Sequence, residues 1–376
     1  MNRANRILPV YAGDVSGAAS ALFELGGMVV IHDPSGCNST YNTHDETRWY
    51  DHNSLVFITG LVERDAILGN DNKLVDDVVD AALELRPRFV ALCNSPIPFI
   101  TGTDFPALCK LIERRCGIPC FYVATNGMHD YSVGAGNAFA AFARRFVEAA
   151  QPREAALNIL GVTPLDFHQP GAVSELRSFA QQAGFEVVAS WAMDSSFDEL
   201  ACAARASVNL VVSATGLRTA KVLREQFGTP YVVGTPHAAG MTLTAFSSEL
   251  AEALRRSARL GECAWPCRDV RTPAPNNARC IVGEPVAAGS RAAEEGLASG
   301  LPPRVVCPLE ADPALTQPSD VLAFGEEEVE AALRGAKVVV ADALYAPVCP
   351  TDALLEPWPH FAFSGRNCYG QRTRGE

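Results

Sequence analysis

The sequence contains no Gly-x-x-x-x-Gly-Lys-Ser/Thr loop, no Gly-x-Ser-x-Gly elbow and no His-Glu-x-x-His pair. The first absence argues against an ATP site on this chain; the others argue against the familiar serine hydrolases and zinc proteases. There is no dense block of Lys or Arg, and 31 basic against 43 acidic residues leave a net charge of −12. Without a basic stripe to track a phosphate backbone, nucleic acid is not an expected partner. No run of 18 apolar residues occurs, so no membrane span is expected. Behind the basic start there is no apolar leader, which points to a cytoplasmic chain. Cysteine is too dilute, at 12 in 376 residues, to staple a small disulfide scaffold. In a reducing compartment those thiols stay free, and a clustered subset would favour metal over bridges.

What is present is an apolar fraction of 48% with only 20% charged residues, enough to bury a sizeable core. Short apolar runs recur along the chain, among them Met28–Ile31, Leu55–Ile58, Phe89–Leu92, Phe121–Ala124, Leu157–Leu160, Val208–Val212, Arg279–Val282 and Lys337–Ala341. Runs apolar on both faces suit central parallel strands covered by helices on each side. Amphipathic stretches lie between them; Leu74, Val78, Val79, Ala82 and Leu85 share one helical face. Repeated strand–helix alternation gives an α/β class with mainly parallel sheets flanked by helices. Two polar, Pro-containing connections divide it into three units, 1–152, 153–275 and 276–376. Gly134-Ala-Gly136 opens a helix but lacks the third Gly of a dinucleotide fingerprint. Ligands of such sheets sit beyond the carboxyl ends of strands, so the residues after each apolar run are the ones to weigh.

The richest of these segments is His32-Asp-Pro-Ser-Gly-Cys37, a loop leaving a strand end with a Gly before the thiol. A thiolate on a loop with free backbone N–H groups suits a soft metal or an iron–sulfur cluster, although a single Cys beside a turn is as readily a core thiol. Further on come Glu63-Arg-Asp-Ala-Ile-Leu-Gly69-Asn-Asp-Asn-Lys73-Leu74, then Cys93-Asn-Ser95-Pro-Ile-Pro-Phe-Ile-Thr-Gly102-Thr-Asp104, then Gly117-Ile-Pro. Taken in order, these resemble the nitrogenase component 1 family, the cluster-bearing subunits of nitrogenases and of nitrogenase-like tetrapyrrole reductases. Asn158-Ile-Leu-Gly161, Ala206–Ser213 and Phe227-Gly-Thr-Pro-Tyr231 extend the likeness into the second unit. The resemblance implies three Rossmann-like domains, a paired-subunit assembly, an interfacial iron–sulfur cluster, and electrons delivered by a separate ATP-hydrolysing iron protein.

The chain also departs from the family pattern. Of three cluster cysteines common in the first domain, only Cys37 matches; the other positions fall on Tyr11 and Ser95. Cys93 lies two residues before Ser95, and in an extended segment i and i+2 point to the same side. A homodimer offering Cys37 and Cys93 from each copy would supply the four thiolates of a [4Fe–4S] cluster. A paralogous sister subunit with its own cysteines is the competing arrangement, with Tyr11, Asp33 or Ser95 as oxygen ligands.

The remaining candidates carry less. Cys109, Cys116 and Cys120 read as core or surface thiols, and Cys263, Cys267 and Cys280 lack a fourth ligand for a metal site. His44 and Arg48, four apart, suit either docking contacts or a polar surface helix. Glu63 and Lys73 suit structural roles. His129, in a loop between a strand and a helix, is the candidate proton donor, with His237 at an equivalent place in the second unit. The aromatic tail Phe361-Ala-Phe-Ser-Gly-Arg366-Asn-Cys-Tyr is expected to dock on the body or a partner. These readings lead to an oxidoreductase component that takes electrons from an iron protein and reduces a bound substrate, tetrapyrrole or other organic rather than dinitrogen. The alternative is a cluster-poor relative acting as a metallocluster scaffold, assembly or regulatory subunit.

Overall fold

The computed structural model describes residues 5–34, 41, 46–50, 52–169, 171–236, 238–239, 242–271 and 276–365. Cys37, His44, His237 and Cys368 lie outside the described residues.

Three parallel sheets follow one another along the chain. The first group comprises α1 (Asp14–Leu22), β1 (Met28–His32), β2 (Leu55–Ile58), α2 (Glu63–Leu68), α3 (Asp71–Leu85), β3 (Val90–Asn94), α4 (Pro96–Thr101), α5 (Phe105–Cys116), β4 (Cys120–Val123) and α6 (Tyr131–Phe146). Its strand order is β2-β1-β3-β4. The second group comprises β5 (Ala156–Val162), α7 (Ala172–Gln182), β6 (Glu186–Ala192), α8 (Phe197–Ala201), β7 (Val208–Val211), α9 (Ala214–Phe227), β8 (Tyr231–Val233), the short antiparallel pair β9 (Ala238–Ala239) and β10 (Thr242–Leu243), α10 (Ala245–Leu260) and α11 (Pro266–Val270). Its order is β6-β5-β7-β8. The third comprises β11 (Asn276–Val282), α12 (Pro285–Ser299), β12 (Pro303–Cys307), β13 (Val321–Leu322), α13 (Glu326–Ala332), β14 (Val338–Ala341), β15 (Leu354–Pro357) and α14 (Phe361–Ser364), ordered β13-β12-β11-β14-β15.

The α/β class with helix-flanked parallel sheets is thus the observed one. The central strands β1, β3, β5 and β7 are buried along their whole length, which is why they read as continuous apolar runs rather than alternating ones. The face of α3 holds for Leu74, Val78, Val79 and Ala82, joined by Val75. Leu85 does not follow them: it is exposed, in the last turn before the left-handed cap at Arg86. Two short strands of the third sheet, β13 and β15, left no apolar run long enough to be read.

Close helix packing joins the first group together. A Cβ on Gly134 would stand 1.8 Å from the Asp14 carbonyl oxygen, and one on Gly17 would stand 2.1 Å from that of Tyr131. Gly134 therefore serves the contact between α1 and α6 and not a phosphate, which accounts for the incomplete dinucleotide fingerprint. Asp14 is fully buried and accepts from the backbone N–H groups of Asn126 and Gly127, fixing the loop after β4. Burial raises its carboxyl above the ordinary value, and those backbone donors oppose the shift.

Arg48 corrects the surface-helix reading of its segment. It is buried, with Nε 2.7 Å from Glu46 Oε1 and Nη1 2.8 Å from Glu24 Oε1. It also donates to the carbonyls of Ser20 and Ala192, and its guanidinium lies 4.7 Å from the Phe23 ring centroid. Glu24 in turn accepts from the Asp194 N–H. This network fastens α1 to the end of β6, where Ala192 and Asp194 both adopt positive φ.

Candidate functional site at the junction of the three sheets

The carboxyl ends of strands from the second and third sheets converge on a cleft of about 180 Å³. The loop after β5 supplies Asp166, Phe167, His168 and Gln169; the end of β8 leads to Thr235; the end of β11 leads to Glu284; and the end of β15 leads to Trp358, Pro359 and His360. The first group reaches it through Tyr131, at the start of α6, whose phenol donates to Asp166 Oδ1. A second hollow of about 260 Å³ shares Phe167, Ala172, Glu175 and Thr235 with the cleft. Open α/β sheets place ligands in this manner, outside the carboxyl ends of the strands.

Two of the acidic groups of the cleft, Asp166 and Glu284, have their oxygens engaged. Asp166 receives the Tyr131 phenol on one oxygen and Thr163 Oγ1, at 3.0 Å, on the other. Burial holds the phenol firmly protonated, so it is the donor. Glu284, fully buried, accepts from the N–H groups of Ala214, Val286 and Ala287, capping α12 and touching the start of α9. Burial pushes its carboxyl up, Asp166 adds to that, and the three backbone donors oppose it.

The imidazoles are held differently. His360 Nε2 stands 3.3 Å from Asp166 Oδ1, with the ring stacked on Phe363 at a centroid distance of 3.9 Å. A carboxylate at that distance favours the tautomer with the proton on Nε2, leaving Nδ1 as the lone pair. That Nδ1 is out of contact with solvent and has no hydrogen-bond partner among the described residues. Asp342 fixes the loop by accepting from the His360 N–H at 2.9 Å and Ser364 Oγ at 3.1 Å. His168 is buried, and burial first, then the neighbouring His360, lower its pKa to about 4, so it is neutral near pH 7.

Of the residues singled out from the sequence, those that are described lie elsewhere. Ser95 is buried at the end of β3 and donates its hydroxyl to the His32 carbonyl at 2.8 Å, stitching β3 to β1. Cys93 is fully buried in β3, paired in register with Ile31 and Val123, and burial raises its thiol far above the ordinary value. Tyr11 is half-exposed, with its backbone N–H on the Ala362 carbonyl and its ring against Gly365. His129 is at the surface, 2.6 Å from Glu310, and does not line the cleft. The loop around it contributes Tyr131 instead. Lys73 pairs with Asp77 on its own helix. Cys263 is exposed, whereas Cys267 and Cys280 are buried. No group of three or more His, Cys, Asp and Glu side chains is arranged to hold a metal ion among the described residues. The start of the tail docks on the body: Phe361 and Phe363 are buried with Ile7, Ala12, Tyr131 and Leu165. No described helix is long and apolar enough to cross a membrane.

The cleft residues Asp166, His168, Glu284 and His360 were not picked out by sequence reasoning. Their signal was positional: each follows a strand by a few residues. For His360 that strand, β15, went unread.

Comparison with known proteins points the same way as the motifs. Residues 14–263 match the model of a family described as Nitrogenase component 1 type Oxidoreductase. The nitrogenase iron-molybdenum cofactor biosynthesis protein NifE of Clostridium pasteurianum is 29% identical over 210 residues, covering 54% of this chain and 45% of that protein. The protein of the same name from Klebsiella pneumoniae is 24% identical over 220 residues, 55% of this chain and 48% of its own. The match thus spans about half the length of these relatives. A solved structure described as nitrogenase Cp1 at pH 6.5 superimposes with a TM-score of 0.69 at 15% identity, covering 99% of this chain and 89% of its own. At that identity the likeness concerns the fold.

Proposed function

Because the chain belongs to the nitrogenase component 1 type oxidoreductase family, we propose that it works as a scaffold or assembly subunit that holds a metallocluster as cargo in the cleft between the second and third sheets. This takes the scaffold alternative over reduction of a tetrapyrrole or other organic substrate. The relatives it matches are named for cofactor biosynthesis, which supports that choice.

The observation that carries the reading is the pairing of His360 with Asp166. A metal-binding imidazole characteristically donates its other ring N–H to a carboxylate, which fixes the ring and raises the basicity of the free nitrogen. In His360 the ring nitrogen Nε2 lies 3.3 Å from Asp166 Oδ1, close enough for the carboxylate to orient the ring by charge, and Nδ1 is unpartnered among the described residues. Tyr131 and Thr163 saturate the Asp166 carboxylate so that it positions the ring without competing for the metal. His168, neutral at physiological pH, adds an imidazole without adding a positive charge.

A resident redox cluster needs a closed thiolate set, whereas a cargo that arrives assembled and leaves again needs few anchors. A cleft lined by imidazoles, with no cysteine in its lining among the described residues, suits the second case. Cys37 would then be an entry or relay thiol, and an iron protein and a paired subunit the chain's functional partners. Anaerobic purification from cells competent in cluster assembly, followed by iron and sulfide assay of wild type, Cys37→Ser, Cys93→Ser and His360→Ala, tests this. The reading expects metal in the wild type, loss in His360→Ala and full content in Cys93→Ser. Full content in His360→Ala together with loss in Cys93→Ser would overturn it in favour of a resident cluster on the first sheet.

A further inference from the structure

The hollow beside the cleft has the build of a second, small-molecule site. Its volume is about 260 Å³, just under the roughly 300 Å³ at which drug-sized ligand pockets begin. A body the size of one aromatic ring with a short arm suits it. Part of its floor is a face of α7, where Leu176 and Phe179 stand three residues apart and are almost fully buried. Phe167, after β5, and Leu243, in β10, complete the apolar lining. The rim is polar: Glu175, Ser178 and Gln182 lie on the neighbouring stripe of α7 and are exposed. Apolar walls with a few polar groups at the edge hold an organic body and fix one end of it.

Charge decides which end is fixed. Glu175 is the only charged residue in the lining among the described residues. Its carboxylate has no hydrogen-bond or ion-pair partner among them. Arg177, the other charged side chain of α7, does not line the hollow; it donates Nη2 to the Asp194 carbonyl at 2.6 Å. A carboxylate or phosphate entering here meets a like charge and no cation, whereas an ammonium meets an open carboxylate. We propose that this hollow binds a small organic ammonium, its apolar body against Phe167, Leu176 and Phe179 and its charge on Glu175.

The proposal does not rest on the cargo reading, so the test uses the full-length chain free of metal. Three probes of nearly one shape differ in charge: phenethylammonium, phenethyl alcohol and hydrocinnamate. In calorimetric titration the ammonium should bind with a millimolar or tighter Kd, and the carboxylate about tenfold more weakly or less. Glu175→Gln should weaken the ammonium about three- to fivefold, as loss of an exposed ion pair does, and leave the alcohol unchanged. Ser178→Trp, which fills the hollow from its rim, should remove binding of both. Circular dichroism of the two variants should match the wild type, since both positions are exposed. Three results would overturn the proposal: no probe binding at millimolar concentration, a carboxylate that binds as well as the ammonium, or ammonium binding indifferent to either substitution. The cargo reading would stand in each case, because its test counts metal and not these probes.

Discussion

The phenol of Tyr131, the first residue of the last helix of the first group, donates to the carboxylate of Asp166 in the loop after the first strand of the second. Through Asp166 it reaches His360 of the third. One carboxylate thus ties together elements from all three groups, and the ring beside it has an Nδ1 without a hydrogen-bond partner among the described residues.

Tyr131→Phe removes the donor while leaving the apolar packing of the ring. The unfolding free energy should fall by about 1.5–3 kcal/mol, the cost of losing a hydrogen bond to a charged group in a buried site. Urea unfolding followed by circular dichroism measures it. A loss below a few tenths would mean that the bond is immaterial.

His168 adds a pH dependence whose sign follows from its lowered pKa. Between pH 6.5, the ordinary value, and about 4, the unfolded chain binds a proton that the folded chain refuses. Stability is therefore lost as the pH falls through that window. Buried acids such as Asp14 and Asp130 have raised values and act in the opposite direction. The contrast is thus taken between wild type and His168→Gln. From pH 7 to pH 4.5 the wild type should lose roughly 1–3 kcal/mol more than the variant. Parallel pH profiles would refute the burial argument.

Arg48→Met leaves Glu46 and Glu24 buried without their partner. A loss of about 3–5 kcal/mol is expected, because breaking a buried pair strands a charge in a low dielectric. Added salt should not restore it, since screening acts on exposed charges. Chemical denaturation with and without salt distinguishes this from a surface role.

Gly134→Ala should force α1 from α6, because its Cβ would overlap the Asp14 carbonyl oxygen. Destabilisation of about 1–3 kcal/mol or more is expected, read as a lowered melting temperature. An unchanged melting temperature would show that the two helices can separate freely.

Much of the fold was legible because buried parallel strands such as Met28–His32 and Val208–Val211 leave unbroken apolar runs. Val321–Leu322 and Leu354–Pro357 were not, being short edge strands of the third sheet with partly exposed side chains. The family motifs were read correctly, and the match over residues 14–263 agrees with them. The site was harder. Of the cysteine-centred reading, Ser95 bonds the His32 carbonyl and Cys93 is enclosed in its strand, while Cys37 lies outside the described residues. Asp166 and His360 are 194 residues apart and have no common motif. Only the packing of three sheets makes them neighbours. Arg48, read as exposed, was buried by partners from α1 and β6 that no local pattern announces.

The central claim, that the cleft holds a metallocluster as cargo, is tested most directly by loading and release. The protein is purified anaerobically from cells that assemble clusters, its iron and sulfide are counted, and an apo acceptor protein of cofactor assembly is added. The account predicts that the wild type carries metal and passes it to the acceptor, and that His360→Ala carries little while keeping its fold. A wild type that emerges free of iron and sulfide, or one whose metal content is unaltered by His360→Ala, would contradict it.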